Sequence, residues 1–274
     1  MKHKVLATIQ DPQSDIKNYL DYNAHLARDF NLTIELVASS PRISMSAIPG
    51  AVTGHGVDHK SQTYVEKKTL EFNTAELDKH VEFLKLFHPH VEANIKIGNL
   101  EGRVLEDGIN EEALLWTINQ KSGDTLINQL IGTTETDISK NTTLPSLTIP
   151  ENHVYKKPET ILIVIRDTTT TNLHRLSLLM TKMGLRPVYV FHEDKKEIKM
   201  EDIMESLGDD FSHFSGTIKA FSLNDESDML QNIIDREKPD WLAFSNFERS
   251  AFERLYKVNT NQLILSSQLP VLNF

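Results

Sequence analysis

Two carboxylates follow short β-branched runs. Asp11 comes after Lys4-Val5-Leu6-Ala7-Thr8-Ile9 and Gln10, and Asp167 after Thr160-Ile161-Leu162-Ile163-Val164-Ile165 and Arg166. A carboxylate so placed can accept from a ribose, hold a metal, or cap the turn that leaves the strand. All three roles stay open for Asp11, whereas capping is expected of Asp167. Gly132-Thr133 pairs two residues that either receive a phosphate at a helix N-terminus or merely begin that helix. The stretch Gly54-His55-Gly56-Val57-Asp58-His59 offers two imidazoles and a carboxylate. Zinc takes four protein ligands in structural sites and three plus a water in catalytic ones. No fourth ligand is identifiable, so a solvated loop without metal is expected there. His88-Pro89-His90 is expected to mark the end of a helix. No Gly-x-Ser-x-Gly elbow and no paired acid and base can be placed, and there is no cysteine nucleophile.

The composition limits the partners. With 274 residues, 39% of them hydrophobic and 25% charged, the chain reads as one large or two ordinary globular domains. A net charge of −10 with scattered basic pairs such as Lys67-Lys68 and Lys195-Lys196 argues against a nucleic-acid surface. No apolar run approaches the roughly 20 residues of a membrane helix, and Met1–Ile9 lacks signal-peptide architecture. Zero cysteines exclude a disulfide scaffold, and a cytoplasmic location is the expectation.

The elements that must position these residues occur twice. The opening strands, 4–9 and 160–165, are each followed by a helical pattern: Ile16, Leu20, Ala24 and Ala27 in one, Leu173, Leu176, Met180 and Met183 in the other, with Gly184 as a C-cap. Second strands follow at 32–38 and 186–191, third strands at 91–97 and 217–223, fourth strands at 113–118 and 240–244. Trp116 and Trp241 fall on those fourth strands and are expected in the core. The first half inserts a polar loop, about 39–61, before a long helix carrying Leu70, Leu77, Val81 and Leu84; the second has a helix around Ile203, Met204 and Leu207. Pro145 and Pro270 each precede a terminal strand, 146–149 and 271–274, and Pro150, Lys156, Lys157 and Pro158 suit an exposed linker. The order βαβαβαβαβ in each half implies right-handed crossovers and a doubly wound parallel sheet. The fold class expected is α/β: two tandem five-stranded, Rossmann-like domains, 1–154 and 155–274.

The segment Ile131-Gly132-Thr133-Thr134-Glu135-Thr136-Asp137-Ile138, then Leu144-Pro145-Ser146-Leu147-Thr148-Ile149-Pro150, resembles the C-terminal signature of universal stress proteins. The start, Val5 to Asp11 with Leu20-Asp21-Tyr22, Leu26-Ala27 and Phe30-Asn31, is similar too, and 244–256 resembles the second domain of tandem members. The resemblance implies an adenine nucleotide α-hydrolase-like fold. Its nucleotide-binding members carry Gly-x-x-Gly, nine residues, then Gly-Ser/Thr. In this sequence those positions are Asn119, Ser122, Gly132 and Thr133, so the first two glycines are substituted. Asp11 matches the strand-end aspartate, and Val37 and Ala38 stand where family members present backbone to adenine. In the second half Ser245, Glu248 and Val258 replace the glycines, and the Glu248 carboxylate would repel phosphate.

The leading expectation is thus a non-catalytic, stress-associated binding or scaffold protein whose halves form an intrachain pseudo-dimer, strands 146–149 and 271–274 meeting across a pseudo-two-fold axis. No cofactor is required by this reading. The alternative keeps one ATP or AMP site in the first domain, formed by Asp11, Val37, Ala38, Asn119, Ser122, Gly132 and Thr133. A homodimer of the fused chain and an unidentified protein partner are compatible with either. A hydrolase or nucleotidyl-transfer enzyme on the same fold is the third reading.

Overall fold

The computed structural model describes residues 3–9, 15–40, 59–97, 113–120, 144–165, 173–193, 217–222, 226–244 and 269–274. Ten strands form one sheet: β1 Lys4–Ile9, β2 Thr33–Ser40, β3 Val91–Ile97, β4 Ala113–Gln120, β5 Ser146–Pro150, β6 Thr160–Ile165, β7 Arg186–Glu193, β8 Thr217–Ser222, β9 Trp241–Phe244 and β10 Val271–Asn273. The described helices are α1 Lys17–Phe30, α2 His59–Lys85, α3 Leu173–Met183 and α4 Glu226–Glu237.

The strand order is β3-β2-β1-β4-β5-β10-β9-β6-β7-β8. It reads as two five-stranded blocks, each ordered third-second-first-fourth-fifth from its outer edge. Every pairing is parallel except β5 with β10, which run antiparallel through Val271↔Thr148, Leu272↔Leu147 and Asn273↔Ser146. Where two five-stranded sheets were expected, the described strands form one ten-stranded sheet, its two parallel blocks joined edge to edge. Each block's last strand would otherwise leave a row of unpaired amides and carbonyls, and the seam satisfies both.

Local chemistry repeats along with the strand order. Helix α1 ends at Asn31 in the left-handed region, φ 52°, and α3 ends at Gly184, φ 62°. Asparagine and glycine are the residues that enter this region at least cost. In both caps the next amide reaches back to a helical carbonyl, Leu32 to Ala27 at 2.8 Å and Leu185 to Met180 at 3.0 Å. The prolines before the terminal strands also serve alike: Pro145 accepts from the Trp116 amide at 2.9 Å and Pro270 from the Leu242 amide at 3.0 Å.

One buried cluster runs from Val5, Leu20 and Ile34 in the first block to Ile161, Met180 and Trp241 in the second, so the core is continuous beneath the seam. A smaller cluster on the opposite face holds Leu6, Val37, Trp116, Ile118 and Leu144. Both tryptophans are buried in fourth strands as expected, but on opposite faces. The reason lies in register: Val5 pairs with Leu115, whereas the corresponding Ile161 pairs with Trp241. A one-residue offset reverses a strand side chain.

Two further expectations are corrected. The polar loop is shorter than 39–61, because β2 runs on to Ser40 and α2 already begins at His59. Nor is the linker simply exposed: Pro158 is buried, and Tyr155 packs on α1 while Lys156 and Lys157 stay at the surface.

Candidate functional site

In a doubly wound sheet a ligand crevice opens at the carboxyl ends of the strands where the strand order reverses. In the first block β1 lies between β2 and β4, and the chain reaches β4 only after laying β2 and β3 on the other side. The reversal therefore falls between β1 and β4. Ile9, at the end of β1, pairs with Ala38, and Thr8 pairs with Val37. Ala7 pairs with Thr117 on β4, and Asn119, two residues further along, pairs with Ile149. Three of the expected site residues, Val37, Ala38 and Asn119, are thus gathered at one end of adjoining strands. Asp11, Ser122, Gly132 and Thr133 lie outside the described residues, as do Asp167 and the second-half positions Ser245, Glu248 and Val258. His55 is outside as well, and no cluster of metal-ligating side chains occurs among the described residues.

Strand alternation divides the three between faces. Ala38 belongs to the cluster containing Ala7, Ile9 and the α1 side chains, whereas Val37 packs on the other face with Trp116. Trp116 Nε1 donates to Thr8 Oγ1 there. Asn119 shares the α1 face with Thr117 because their spacing is two. Its residue is only 9% exposed, and its side-chain oxygen is buried with no hydrogen-bond partner. Leaving a buried acceptor unmet costs about 1–3 kcal/mol, and such an exception in a satisfied core calls for a reason.

Below Asn119 the polar groups are fully matched. Tyr19 Oη donates to the Thr117 carbonyl at 2.8 Å and lies 2.9 Å from its hydroxyl. Thr117 Oγ1 donates to Asn23 Oδ1 at 2.8 Å, and Asn23 Nδ2 donates to the Tyr19 carbonyl, also at 2.8 Å. Burial pushes the Tyr19 phenol well above its usual range, so it remains a neutral donor. This network ties α1 to β4 two residues before Asn119. Sequence reasoning did not single out Tyr19 or Asn23; the available signal was a polar i,i+4 pair bordering the apolar stripe of Leu20, Ala24 and Ala27.

His88 serves structure. Its Nε2 lies 2.8 Å from the Leu32 carbonyl, fastening the turn after α2 to the start of β2. A separate cleft of about 380 Å³ lies at the amino ends of β9 and β10, between His153 and Lys156 of the linker and Lys238, Pro239 and Leu269. Because β10 runs antiparallel to β5, this cleft lies at the same end of the sheet as the carboxyl ends of β4 and β5, but at the amino ends of its own block's strands, where the rule for doubly wound sheets places no ligand.

These features define a doubly wound α/β protein whose strand order reverses between β1 and β4 in its first block. Among solved structures the chain is similar over its whole length to a universal stress protein from Archaeoglobus fulgidus DSM 4304, with TM-score 0.61 and 11% identity, covering 98% of this chain and 97% of that one. It is also similar to a protein of unknown function from Pseudomonas aeruginosa PAO1, with TM-score 0.56 and 10% identity over 100% of this chain and 92% of that one. A provisionally named universal stress protein from Pseudomonas aeruginosa UCBPP-PA14 gives TM-score 0.56 and 9% identity, covering 100% and 93%. The chain has the universal stress protein fold. No protein-family model and no curated protein matches the sequence. No described helix is long and apolar enough to cross a membrane.

Proposed function

We propose that the protein is a universal stress protein of the tandem type, a cytoplasmic binding or scaffold protein that acts through occupancy and partner contact rather than through chemistry. The carrying observation is the antiparallel pairing of β5 with β10 between two blocks of identical strand order. That is the arrangement of a two-fold dimer made within one chain. The matched caps at Asn31 and Gly184 and the matched acceptors Pro145 and Pro270 support the same reading. Purified protein incubated with ATP tests the non-catalytic role: no release of phosphate or AMP is expected. Turnover that disappears in Asp11→Ala would replace the binding reading with an enzymatic one.

A second reading is favoured by the unmatched Asn119 oxygen: one adenine-nucleotide site remains in the first domain, with the nucleotide motif degraded there and lost in the second. An exocyclic amine or a ribose hydroxyl would supply the missing donor. Asp11, Ser122, Gly132 and Thr133 would surround the sugar and phosphates, with Val37 and Ala38 offering backbone groups to the base. Thermal shift with ATP and AMP tests it. Ligand at 100 times its dissociation constant should stabilise the fold by about 2.7 kcal/mol. Thr133→Val should erase that gain, and no shift at millimolar nucleotide would dismiss the site.

A further inference from the structure

The seam that joins the blocks is slight. Three residue pairs connect β5 to β10, and a two-stranded contact of that length is at best marginal by itself. Beneath it the blocks share one buried core and the Trp241–Tyr22 bond, and residues 151–159 add a further tie between them.

This segment is fastened at both ends to different blocks. On the first block, the Tyr155 ring meets Tyr22 edge-on at 5.1 Å and stacks on His25 at 5.4 Å, while its hydroxyl donates to Asp29 Oδ2 at 3.0 Å. Tyr22, His25 and Asp29 are spaced by three and four, which places them on one stripe of α1. His153 adds a ring contact with Tyr22 at 5.8 Å, and Lys157 Nζ lies 5.6 Å from the Phe30 centroid. On the second block, the Asp240 carboxylate accepts from Lys156 Nζ at 2.7 Å and from the Glu159 and Thr160 amides at 2.8 and 3.0 Å. The next residue, Trp241, donates from Nε1 to the Tyr22 hydroxyl at 2.9 Å. Linker, α1 and the start of β9 thereby close a ring of contacts over the seam. Lys156 by itself would be a weak exposed pair. The two amides and the buried aromatic group make the ring directional.

We propose that residues 151–159 are a latch, which uses Tyr155 on α1 and Asp240 on the linker to hold the two blocks as a single cooperative unit. With the latch released, the blocks move and unfold separately about the β5·β10 seam. This assignment is independent of any ligand in the crevice.

Native-state hydrogen exchange read by mass spectrometry tests it on the full chain. In the unaltered protein, amides of β1 and β2 and those of β6 and β7 should exchange through the same global opening. In the double variant Tyr155→Ala, Asp240→Asn, exchange of β6 and β7 should outpace that of β1 and β2 by about tenfold or more. If the double variant does not fold, Tyr155→Phe, which keeps the ring and loses only the Asp29 bond, should show the same separation to a smaller extent. Blocks that already exchange separately in the unaltered protein would overturn the latch. So would blocks that stay matched in whichever of these variants folds.

Discussion

Trp241 and Tyr22 are 219 positions apart in sequence, yet the indole N–H of one donates to the hydroxyl of the other at 2.9 Å inside the core. The bond ties the fourth strand of the second block to the first helix of the first. Burial raises the Tyr22 phenol above its ordinary range, so the hydroxyl stays protonated while it accepts.

Removing only that hydroxyl isolates its contribution. Tyr22→Phe keeps the ring against His153 and Tyr155 but leaves a buried indole N–H unmet, which should cost about 1–3 kcal/mol in urea unfolding. A neutral result would mean that packing alone joins α1 to β9.

The network beneath the crevice gives a second expectation. Thr117→Val is close in shape but removes the donor to Asn23 and one partner of Tyr19. A loss of about 1–3 kcal/mol is expected from the stranded amide oxygen. The Tyr19 bond to the Thr117 carbonyl remains in the variant, so the strand should keep its place.

Asn119 should behave in the opposite way. Its oxygen has no partner to lose, so Asn119→Leu should change the stability of the ligand-free protein by no more than about 1 kcal/mol. If the nucleotide reading holds, the same substitution abolishes the thermal shift given by ATP or AMP. A large loss of stability without ligand would assign Asn119 to the core.

Asp240 sets the acid response. Burial by itself would raise its carboxyl, but the bonds from Lys156 and from the Glu159 and Thr160 amides outweigh that and hold it below the usual carboxylate range. A carboxyl depressed in the folded state contributes stability above its unfolded pKa, and that contribution fades as pH falls through the folded value. The difference in stability between the unaltered protein and Asp240→Asn should therefore be full near neutrality and shrink below about pH 4. A difference that stays constant from pH 7 to pH 3 would contradict this coupling.

Much of the fold was legible because strands leave short-range patterns: apolar runs at the central strands Lys4–Ile9 and Thr160–Ile165, and apolar/polar alternation at the edge strand Val91–Ile97, stand where the sequence places them. Repetition located the fourth strands, while the bounds of α2 and the opposite faces of Trp116 and Trp241 escaped. A face depends on register with a neighbour, which no single run encodes. The site was less legible. Val37, Ala38 and Asn119 were reached through a family pattern, and their convergence follows from strand order. Tyr155, Tyr22 and Asp240 carried no motif, since their meeting depends on how two halves of the chain come together.

The most direct test of the account uses the absence of native cysteine. Thr148 and Val271 face each other across the seam, one in each block. Facing residues of an antiparallel pair lie about 4.5–5.5 Å apart at Cα, within reach of a disulfide. In the double variant Thr148→Cys, Val271→Cys, mild oxidation should form an intrachain bond in nearly every monomer and raise the melting temperature. Thiols that stay free in folded protein, or that link only between chains, would contradict the joining of the two blocks through their last strands.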